Sequence, residues 1–492
     1  MTDILSQIIE KRKADLLSLG VTFGIQIPEK RMRPAVPFLS ECGTILEVKR
    51  ASPSKGNIAP DLNPVVLAKT YASAGTQAIS VLTEPHFFKG SLTDLINASS
   101  AVHTCSFLRK DFILEEEEIE VSYKCGADAV LLIARILETP HLLKLSARCR
   151  EFGMTPFIEI RSPEDLEKLK IAAAEGMVTG GVNARDLATF RIDPLIPAAR
   201  RDLMPCKAVF ESGALTPEAA AKARMLGFEG ILIGEAAAKN PESAKNLVRG
   251  FVDARPNQNG SFWKEIAKRR EVLKKEKNAR PLVKICGITN EEDAMLAKDS
   301  GADLLGFVFA ESPRKASAET VKSIRKKLPA NSQNPLLVGV ITNPDSPEGK
   351  EAITLAKVGI LDAVQFHGIP LPAFDTENGF AFYAALRVGN NADIEQLQEL
   401  LRKGEPRVMI DSKTVVCAGG SGIPVSETLV EQAKDLAPLW LAGGISPENV
   451  EEIFRKWNPE LIDLSSQIEA APGKKDSEKM KLFFEKINRS FS

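Results

Sequence analysis

The sequence lacks the features that mark membrane, metal-bound and disulfide-bonded proteins. Its 492 residues contain no apolar run of the roughly 18 residues that a membrane-spanning helix needs. Residues 1–20 are charged and amphipathic, without the continuous apolar stretch of a signal peptide. The seven cysteines are scattered and form no CxxC pair, and the four histidines show no ligand spacing. We therefore expect a reduced, cytoplasmic protein with no metal, no disulfide framework and no membrane association.

Charge of either sign is also in no excess. The chain has 64 Lys and Arg against 65 Asp and Glu, a net charge of −1 at pH 7. This balance gives no indication of nucleic acid as a partner. The chain is too long for one ordinary hydrophobic core, so two domains of barrel size are expected.

Short apolar runs recur along the chain, each separated from the next by a stretch long enough for a helix. The first half contains TILEV (44–48), AISVLT (78–83), SFLRKD (106–111), AVLLIA (129–134), TPFIEI (155–160), MVTGGVN (177–183), KAVFES (207–212) and GILIG (230–234). The second half contains LVKICG (282–287), DLLGFVF (303–309), LLVGVI (336–341), LDAVQF (361–366), FAFYAALRV (380–388), RVMID (407–411), LWLAGG (439–444) and LIDLS (461–465). Apolar strands alternating with helices are typical of parallel sheets. Eight such units per half predict an α/β fold of two tandem (β/α)8 TIM barrels. A doubly wound open sheet is the alternative, but it would not need eight strands.

These runs divide the chain into three regions. Residues 1–254 are predicted to form one barrel with an extra N-terminal helix, and residues 281–492 a second barrel. Between them, residues 255–280 lose the strand–helix rhythm and are polar and basic. We interpret them as a connector, with a phosphate- or partner-binding patch as the alternative.

Charged and polar residues stand at the ends of alternate strands in the first half. The set comprises Glu47, Lys49, Lys110, Glu159, Asn183, Arg185, Glu211 and Ser212. The carboxyl ends of the strands form the mouth of a (β/α)8 barrel, where active sites lie. One charged strand end is unremarkable, but these five strand ends, with Gly234 at a sixth, converge on one mouth and predict a charged pocket.

The motifs around these residues resemble those of indole-3-glycerol phosphate synthase. They are EVKRASPSKG, LTEPHFFKGS, FLRKDFIL, FIEI, GVNARDL, ESGALT and ILIGEA, in the family's order and across essentially all of residues 1–254. The resemblance implies closure of an indole ring on 1-(2-carboxyphenylamino)-1-deoxyribulose 5-phosphate, with loss of CO2 and water. Such chemistry needs a cation near the carbonyl and a second proton-transfer group.

By this resemblance, Lys110 would be the general acid of ring closure, and Glu159 would stabilise charge or move protons. Lys49 would hold the substrate's carboxylate and assist dehydration. Three further residues would orient these groups and the sugar hydroxyls: Glu47, Asn183 and Glu211. Because like charges disfavour the charged form, we also expect Lys49 and Lys110 to lower each other's pKa.

The resemblance also assigns the phosphate to backbone N–H groups of Gly213 and Gly234, at the starts of short helices. Glu235 departs from the family's pattern, which commonly has a small hydroxyl residue there. Its backbone can still donate, but its carboxylate must point away from the phosphate. Ser52, in a loop expected to move over the site, is a candidate ligand. Two other residues complete the expected contacts: Arg185 and Ser212.

In the second half, a thiol and a carboxylate stand at strand ends. Cys286 closes the first strand and is followed by Gly287, while Asp411 closes the sixth. A lone strand cysteine is usually a small core residue, but this position brings it to the barrel mouth. A thiol and a carboxylate across one pocket could act as base and acid.

The surrounding motifs resemble phosphoribosylanthranilate isomerase. They are KICGIT, GFVFAESPRKAS, VGVITN, VQFHG, ALRV, MIDS, LAGGISPENV and IDLSSQIEAAPGKKD, over residues 282–487. The resemblance implies an Amadori rearrangement, in which Asp411 opens the furanose ring as acid and Cys286 removes the C2 proton as base. A free thiol has a pKa of about 8.5, so Cys286 must be partly ionised by its pocket.

Other roles in the second half follow from the same resemblance. Arg314 would contact the anthranilate part, and His367 and Arg387 would line the pocket. The phosphate would bind the loops after strands seven and eight, at Gly443, Gly444, Ser465 and Ser466. Two departures from the pattern concern the phosphate and loop motion: Gln467, where a glycine is expected, and Val415, Val416 and Cys417 within the loop 412–422.

The product implied for the second half is the substrate implied for the first. We therefore interpret the chain as a bifunctional tryptophan-biosynthesis enzyme that acts on small phosphorylated anthranilate–sugar substrates. No organic cofactor or metal is required, because the chemistry is proton transfer and decarboxylation. Since the barrels are fused, we expect a monomer. The alternatives are a related sugar-phosphate isomerase of histidine biosynthesis in the second half, which would use two carboxylates, and a catalytically dead barrel that serves as a scaffold.

Overall fold

The computed structural model describes residues 4–275, 280–331, 333–373, 375, 379–411 and 427–489. The chain forms two compact units, Met1–Pro256 and Asn257–Ser492. Across the described ranges, no helix is both long and apolar enough to span a membrane.

The first unit is a closed parallel barrel surrounded by helices. Its strands are β1 (Gly43–Val48), β2 (Ala51–Ser52), β3 (Gly56–Asn57), β4 (Ala78–Leu82), β5 (Ser106–Lys110), β6 (Ala129–Ile133), β7 (Thr155–Ile160), β8 (Thr179–Asn183), β9 (Lys207–Glu211) and β10 (Gly230–Ile233). Its helices are α1 (Ile4–Leu19), α2 (Pro64–Ser73), α3 (Leu92–Ala101), α4 (Glu117–Lys124), α5 (Thr139–Glu151), α6 (Pro163–Ala174), α7 (Leu195–Arg201), α8 (Pro217–Met225), α9 (Glu235–Lys239) and α10 (Ala244–Asp253), with a 3-10 turn at Pro241–Ser243. The barrel order is β1-β10-β9-β8-β7-β6-β5-β4, and β2 and β3 form an antiparallel pair outside it.

Helix α1 is joined to the barrel by apolar and ionic contacts. Leu5 and Ile8 are buried and belong to a core cluster that includes strand residues such as Leu108 and Leu131. Arg12, also buried, forms ion pairs with Asp111 and Glu118. An unpaired buried charge would be costly, so these partners fix where the helix lies.

The second unit repeats this plan. Its helices are α11 (Gln258–Lys275), α12 (Glu291–Ser300), α13 (Ala318–Lys327), α14 (Pro347–Lys357), α15 (Asn391–Arg402), α16 (Glu427–Leu436), α17 (Val450–Trp457) and α18 (Ser477–Arg489), with a 3-10 turn at Ser466–Ile468. Its strands are β11 (Leu282–Cys286), β12 (Leu304–Val308), β13 (Leu336–Ile341), β14 (Ala363–His367), β15 (Phe382–Arg387), β16 (Met409–Asp411), β17 (Trp440–Ala442), β18 (Leu461–Leu464), β19 (Glu469–Ala471) and β20 (Lys474–Lys475). Strands β11 to β18 form the closed barrel in chain order, and β19 and β20 form an antiparallel pair.

Helix α11 lies within the segment predicted as a connector. Its Phe262 and Trp263 are buried. The Phe262 ring stacks on Tyr383 at 6.0 Å, and Trp263 lies 5.6 Å from Trp440. The helix therefore adds aromatic side chains to the interior of the second unit.

The predicted pair of (β/α)8 barrels is confirmed. Every apolar run identified in the sequence overlaps a barrel strand. The open-sheet alternative is wrong, because the first strand of each barrel pairs with the last: β1 with β10 and β11 with β18.

Candidate active sites

The mouth of the first barrel holds a ring of charged side chains. Four of these side chains lie at or next to the carboxyl ends of alternate barrel strands. They are Glu47 on β1, Lys110 on β5, Glu159 on β7 and Glu211 on β9. Inward side chains from alternate strands meet in one layer of a (β/α)8 barrel. The sequence-predicted residues are thus brought together by strand register.

Lys110 is the cation at the centre of this ring. Its Nζ lies 2.8 Å from Oε2 of Glu211 and 3.3 Å from Oε2 of Glu159. Lys49 pairs instead with Glu47, at 3.3 Å between Nζ and Oε1. Each lysine therefore has its own carboxylate partner.

The ring shifts the pKa of two of its members. Burial raises the pKa of Glu211 to about 8; Glu159 and Glu47 add to the rise and Lys110 opposes it. Burial alone would lower the pKa of Lys110, but Glu211, Glu159 and Glu47 outweigh it and hold that pKa above its ordinary value. We expected Lys49 to lower the pKa of Lys110. That expectation is wrong, because the three carboxylates around Lys110 raise its pKa instead.

Asn183 connects the ring to the loop after β9. Its Nδ2 donates to Oε1 of Glu159 at 3.1 Å, and its Oδ1 accepts from the hydroxyl of Ser212 at 2.9 Å and from the backbone N–H of Arg185 at 2.9 Å. Ser212 and Gly213 both have positive φ, 72° and 91°. This backbone turn sets the Ser212 hydroxyl beside the charged ring.

The remaining predicted residues line the same pocket. Glu235 is the first residue of α9, and its carboxylate accepts from Lys239 at 2.8 Å. Ser52, on the β2–β3 pair, and Arg185 lie on the pocket wall together with Gly234. The apolar part of the wall is formed by Ile4, Leu5, Ile8, Phe88, Phe112, Leu131, Leu187 and Leu232.

Sequence reasoning missed Gly181 and Ser80, and it named Gly234 only as a phosphate contact. A Cβ on Gly181 would lie 2.0 Å from Oε1 of Glu211, and one on Gly234 would lie 2.6 Å from Oε1 of Glu47. The hydroxyl of Ser80 donates to Oε2 of Glu47 at 3.3 Å. The GG pair in the GGVN motif was the only available signal, since such close approach is invisible in a strand pattern.

At the mouth of the second barrel, Cys286 ends β11 and Asp411 ends β16. His367 ends β14, and its Nε2 lies 3.1 Å from Oδ2 of Asp411. Arg387 ends β15, and its Nε lies 3.5 Å from the same nitrogen. The predicted acid is thus in contact with one predicted pocket residue and close to another.

Cys286 is buried, and burial raises the pKa of its thiol. Lys284 and Lys475 oppose this rise, and Asp463 adds to it. The protonated thiol therefore dominates at neutral pH in this pocket, contrary to the expected partial ionisation. The two lysines are the groups that would stabilise a thiolate.

Arg314 is held beside Cys286 by residues that the sequence did not single out. Its guanidinium makes two bonds to Glu469, from Nε at 2.9 Å and from Nη2 at 2.8 Å. Lys475 also donates to Glu469, at 3.0 Å, and to the backbone carbonyl of Cys286, at 2.7 Å. A Cβ on Gly287 would lie 2.8 Å from Cδ of Arg314. The sequence did carry a signal for Glu469 and Lys475. Charged residues follow the eighth strand there in a pattern that fits neither a strand nor a helix.

The predicted phosphate loops follow β17 and β18. Gly443 and Gly444 have positive φ, 100° and 67°. Ser465 precedes the 3-10 turn that contains Ser466 and Gln467. The departures in loop 412–422 lie outside the described residues.

Comparison with known proteins identifies both halves. The family model of indole-3-glycerol phosphate synthase matches residues 9–249, and that of N-(5'-phosphoribosyl)anthranilate isomerase matches residues 283–486. The indole-3-glycerol phosphate synthase of Desulfotalea psychrophila is 39% identical over 48% of this chain and 93% of its own length.

Several relatives span both halves, among them the following two. A multifunctional tryptophan biosynthesis protein of Schizosaccharomyces pombe is 32% identical over 93% of this chain, which spans only 60% of that relative's length. A tryptophan biosynthesis protein of Phytophthora nicotianae is 30% identical over 87% of this chain and 88% of its own length. These matches do not favour a sugar-phosphate isomerase of histidine biosynthesis or a scaffold. The chain belongs to the tryptophan-biosynthesis family that joins an indole-3-glycerol phosphate synthase domain and a phosphoribosylanthranilate isomerase domain in one polypeptide.

Proposed function

We propose that this chain catalyses two successive steps. The second barrel converts N-(5-phosphoribosyl)anthranilate to 1-(2-carboxyphenylamino)-1-deoxyribulose 5-phosphate. The first barrel converts that product to indole-3-glycerol phosphate, CO2 and water. The observation that carries this proposal is that each family-matched region has proton donors and acceptors at its own barrel mouth.

In the first barrel, Lys110 is the acid of ring closure. As the aromatic carbon attacks the substrate's ketone, a proton passes from Nζ to the oxygen, which becomes a hydroxyl. CO2 then leaves from that ring carbon, which restores its aromaticity. The hydroxyl takes up a second proton and leaves as water, and the neighbouring CH2 carbon loses one proton to form the double bond of the indole, whose nitrogen keeps its hydrogen. The contacts of Lys110 with Glu211 and Glu159 support this role, because they hold the ammonium in place, and Glu159 offers an acceptor for a returning proton.

Other residues of the first mouth bind and orient the substrate. Lys49 holds the carboxylate that is lost, and Glu47 and Asn183 orient the cations and sugar hydroxyls. The apolar wall accommodates the anthranilate ring. The phosphate contacts Ser212, Gly213, Gly234 and Arg185, with Ser52 closing over it; the bond from Lys239 to the carboxylate of Glu235 supports a placement away from the phosphate.

In the second barrel, Asp411 protonates the furanose ring oxygen, which opens the ring and leaves a protonated imine. Cys286, as thiolate, then removes the C2 proton, and the resulting enol becomes the ketone. Burial of Cys286 makes this thiolate scarce and reactive, with Lys284 and Lys475 as its stabilising charges. Arg314, fixed by Glu469, faces the anthranilate carboxylate.

The remaining second-barrel residues complete substrate binding. His367 and Arg387 line the pocket around Asp411. The phosphate binds the loops at Gly443, Gly444, Ser465 and Ser466, where two positive-φ glycines expose backbone N–H groups. We further propose a cytoplasmic monomer, since each unit carries its own set of acid–base residues.

The test is to assay the purified chain with each substrate separately. Fluorescence of indole-3-glycerol phosphate reports the synthase, and consumption of N-(5-phosphoribosyl)anthranilate reports the isomerase. Turnover of both substrates supports the proposal. If one barrel proved folded but inactive, that half would be a scaffold and the bifunctional assignment would fail.

A further inference from the structure

The turn between β4 and α3, residues 83–90, is built around one buried carboxylate. Glu84 is only 3% exposed, and its two oxygens accept hydrogen bonds from three consecutive backbone N–H groups. The bonds measure 2.8 Å from His86, 2.7 Å from Phe87 and 2.9 Å from Phe88. Hydrogen bonds from N–H groups to a carboxylate are stronger than those between neutral groups. Glu84 therefore fixes the backbone of all three residues.

The turn is also closed by its own backbone. The N–H of Gly90 donates to the carbonyl of Glu84 at 2.8 Å. A Cβ on Gly90 would lie 2.0 Å from the carbonyl oxygen of Leu82, so the chain returns directly to the end of β4. Since the two ends of the turn are held in this way, the bonds to Glu84 determine where the side chains between them point.

Phe88 is the residue of this turn that lines the pocket at the first barrel mouth. Its ring lies 6.2 Å from the ring of Phe112, which lines the same pocket. The ammonium of Lys49 lies 5.5 Å from the centroid of the Phe88 ring, within the range of a cation–π contact. Phe88 thus connects the apolar wall with the cation proposed to hold the substrate's carboxylate.

Two other side chains of the turn, His86 and Lys89, are exposed and contact neighbouring elements. Nε2 of His86 lies 2.6 Å from Oδ2 of Asp15 on α1, and Nζ of Lys89 donates to Oδ1 of Asn57 on β3 at 2.8 Å. Polar pairs in contact with solvent contribute little. Phe88 is therefore the main connection between Glu84 and the pocket.

We propose that Glu84 is a positioning residue of the synthase site, whose carboxylate shapes the turn that places the Phe88 ring beside Lys49 and against the substrate's aromatic ring. The effect on substrate binding rests on the proposed function, but the shape of the turn does not. Lys110 lies on β5, outside this turn. Glu84 should therefore govern the affinity for the substrate rather than the chemical step.

Hydrogen exchange of peptides from residues 83–91, measured in the full chain, tests the turn without requiring activity. Glu84→Ala removes all three bonds, so exchange should accelerate at least about tenfold, the effect of one hydrogen bond to a charged group. Glu84→Gln keeps one acceptor oxygen, enough for the two bonds that share Oε2, and should be intermediate. The control is Glu229→Ala. Glu229 accepts from the N–H of Ala208 at 3.0 Å, near the amino end of β9, so its loss should leave residues 83–91 unchanged.

Steady-state kinetics separate positioning from folding. For Glu84→Ala we expect synthase KM to rise at least about fivefold, in the range of one aromatic pair and one cation–π contact together, with kcat changed less than about twofold. Partial unfolding would instead lower kcat, by removing active molecules, without raising KM. Lys89→Met, which breaks only the contact with Asn57, should change neither constant. The isomerase, assayed on the same preparation, should be unaffected.

A double-mutant cycle tests whether Glu84 acts through Phe88. Phe88→Ala removes the ring that Glu84 places, so adding Glu84→Ala to it should raise KM by less than about a further twofold. Additive effects of the two substitutions would overturn the proposal, and so would a Lys89→Met variant as impaired as Glu84→Ala.

A folded Glu84→Ala with wild-type exchange or wild-type KM would also overturn the proposal. If Glu84→Ala did not fold, Glu84→Gln in the same cycle would give the answer. A wild-type chain without synthase turnover would instead refute the proposed function, while the exchange of residues 83–91 would still decide whether Glu84 holds the turn.

Discussion

Lys110 and Glu211, at the ends of the third and seventh strands of the first barrel, are in direct contact, with 2.8 Å between Nζ and Oε2. Glu211 is also the carboxyl group of this ring whose pKa rises to about 8, chiefly by burial. A cation and a carboxyl that titrates near neutrality are thus in direct, partly buried contact. This pair governs both the chemistry and the pH dependence expected of the first unit.

Lys110→Ala should abolish most synthase turnover and leave the isomerase unchanged. Loss of a positioned acid costs about 10²–10⁴-fold, and the three carboxylates left behind cannot replace an ammonium. Both activities should be measured on the same preparation. A decrease in synthase kcat of less than about tenfold would mean that another group is the main acid.

Stability of the first unit should fall as pH rises from about 5 to 8. Glu211 has a pKa of about 8 in the folded state, against about 4.3 when unfolded. The folded state therefore binds more protons in this window, and the free energy of unfolding declines by at most about 1.4 kcal/mol per pH unit. The raised pKa of Lys110 adds no slope here, because that lysine is charged in both states below about pH 10.

Hydrogen exchange of peptides from residues 1–256 measures this stability in the intact chain. Glu211→Gln should remove the slope, while Glu218→Gln, a half-buried position on α8 of the same unit, serves as the matched control. A wild-type stability that is flat or increasing over this window would contradict the ionisation assigned to Glu211.

Cys286→Ala and Asp411→Asn should each lower isomerase kcat at least about 10²-fold, with synthase turnover unchanged.

Because burial raises the pKa of Cys286, its alkylation by iodoacetamide should be slow at pH 7 and accelerate towards pH 9. Ribose 5-phosphate should protect it. Equal labelling with and without the sugar phosphate, read by mass spectrometry, would remove Cys286 from the site.

Glu469→Gln should weaken substrate binding in the second barrel. Removal of the charge loosens the grip of Glu469 on Arg314 and one contact of Lys475. We therefore expect isomerase KM to rise about tenfold or more, in the range of a single hydrogen bond to a charged group. Glu348→Gln is the matched control, since its pair with Lys315 is solvent-exposed and contributes little. Equal kinetics for the two variants would exclude Glu469 as the support of Arg314.

Phe262→Ala should destabilise the second unit by about 3–5 kcal/mol, the usual cost of truncating a buried Phe. Phe262 is buried against Tyr383 and leaves all three tryptophans available as probes. Val272→Ala, at an exposed position of the same helix, should change stability by less than about 0.5 kcal/mol. Similar urea midpoints for both variants would show that α11 contributes nothing to this unit.

The order of apolar runs and polar segments along the sequence determined the architecture and the strands that carry each site. Eight apolar runs per half are enough to predict two barrels, since a strand covered on both faces must be apolar along its length. Residues at the carboxyl ends of those strands, such as Lys110 and Asp411, could be assigned to a mouth for the same reason. Barrel topology alone brings them together.

Only the tertiary structure decided how those residues influence one another. Sequence spacing says nothing about the partners of Lys110, so its pKa was expected to fall, whereas three carboxylates from other strands raise it. The same holds for the contact of Glu469 with Arg314, 155 residues apart. The polar composition of residues 255–280 likewise conceals that Phe262 and Trp263 face the interior. Strand order and burial are encoded locally, but hydrogen bonds and electrostatic shifts depend on distances between distant segments, which exist only once the barrels have closed.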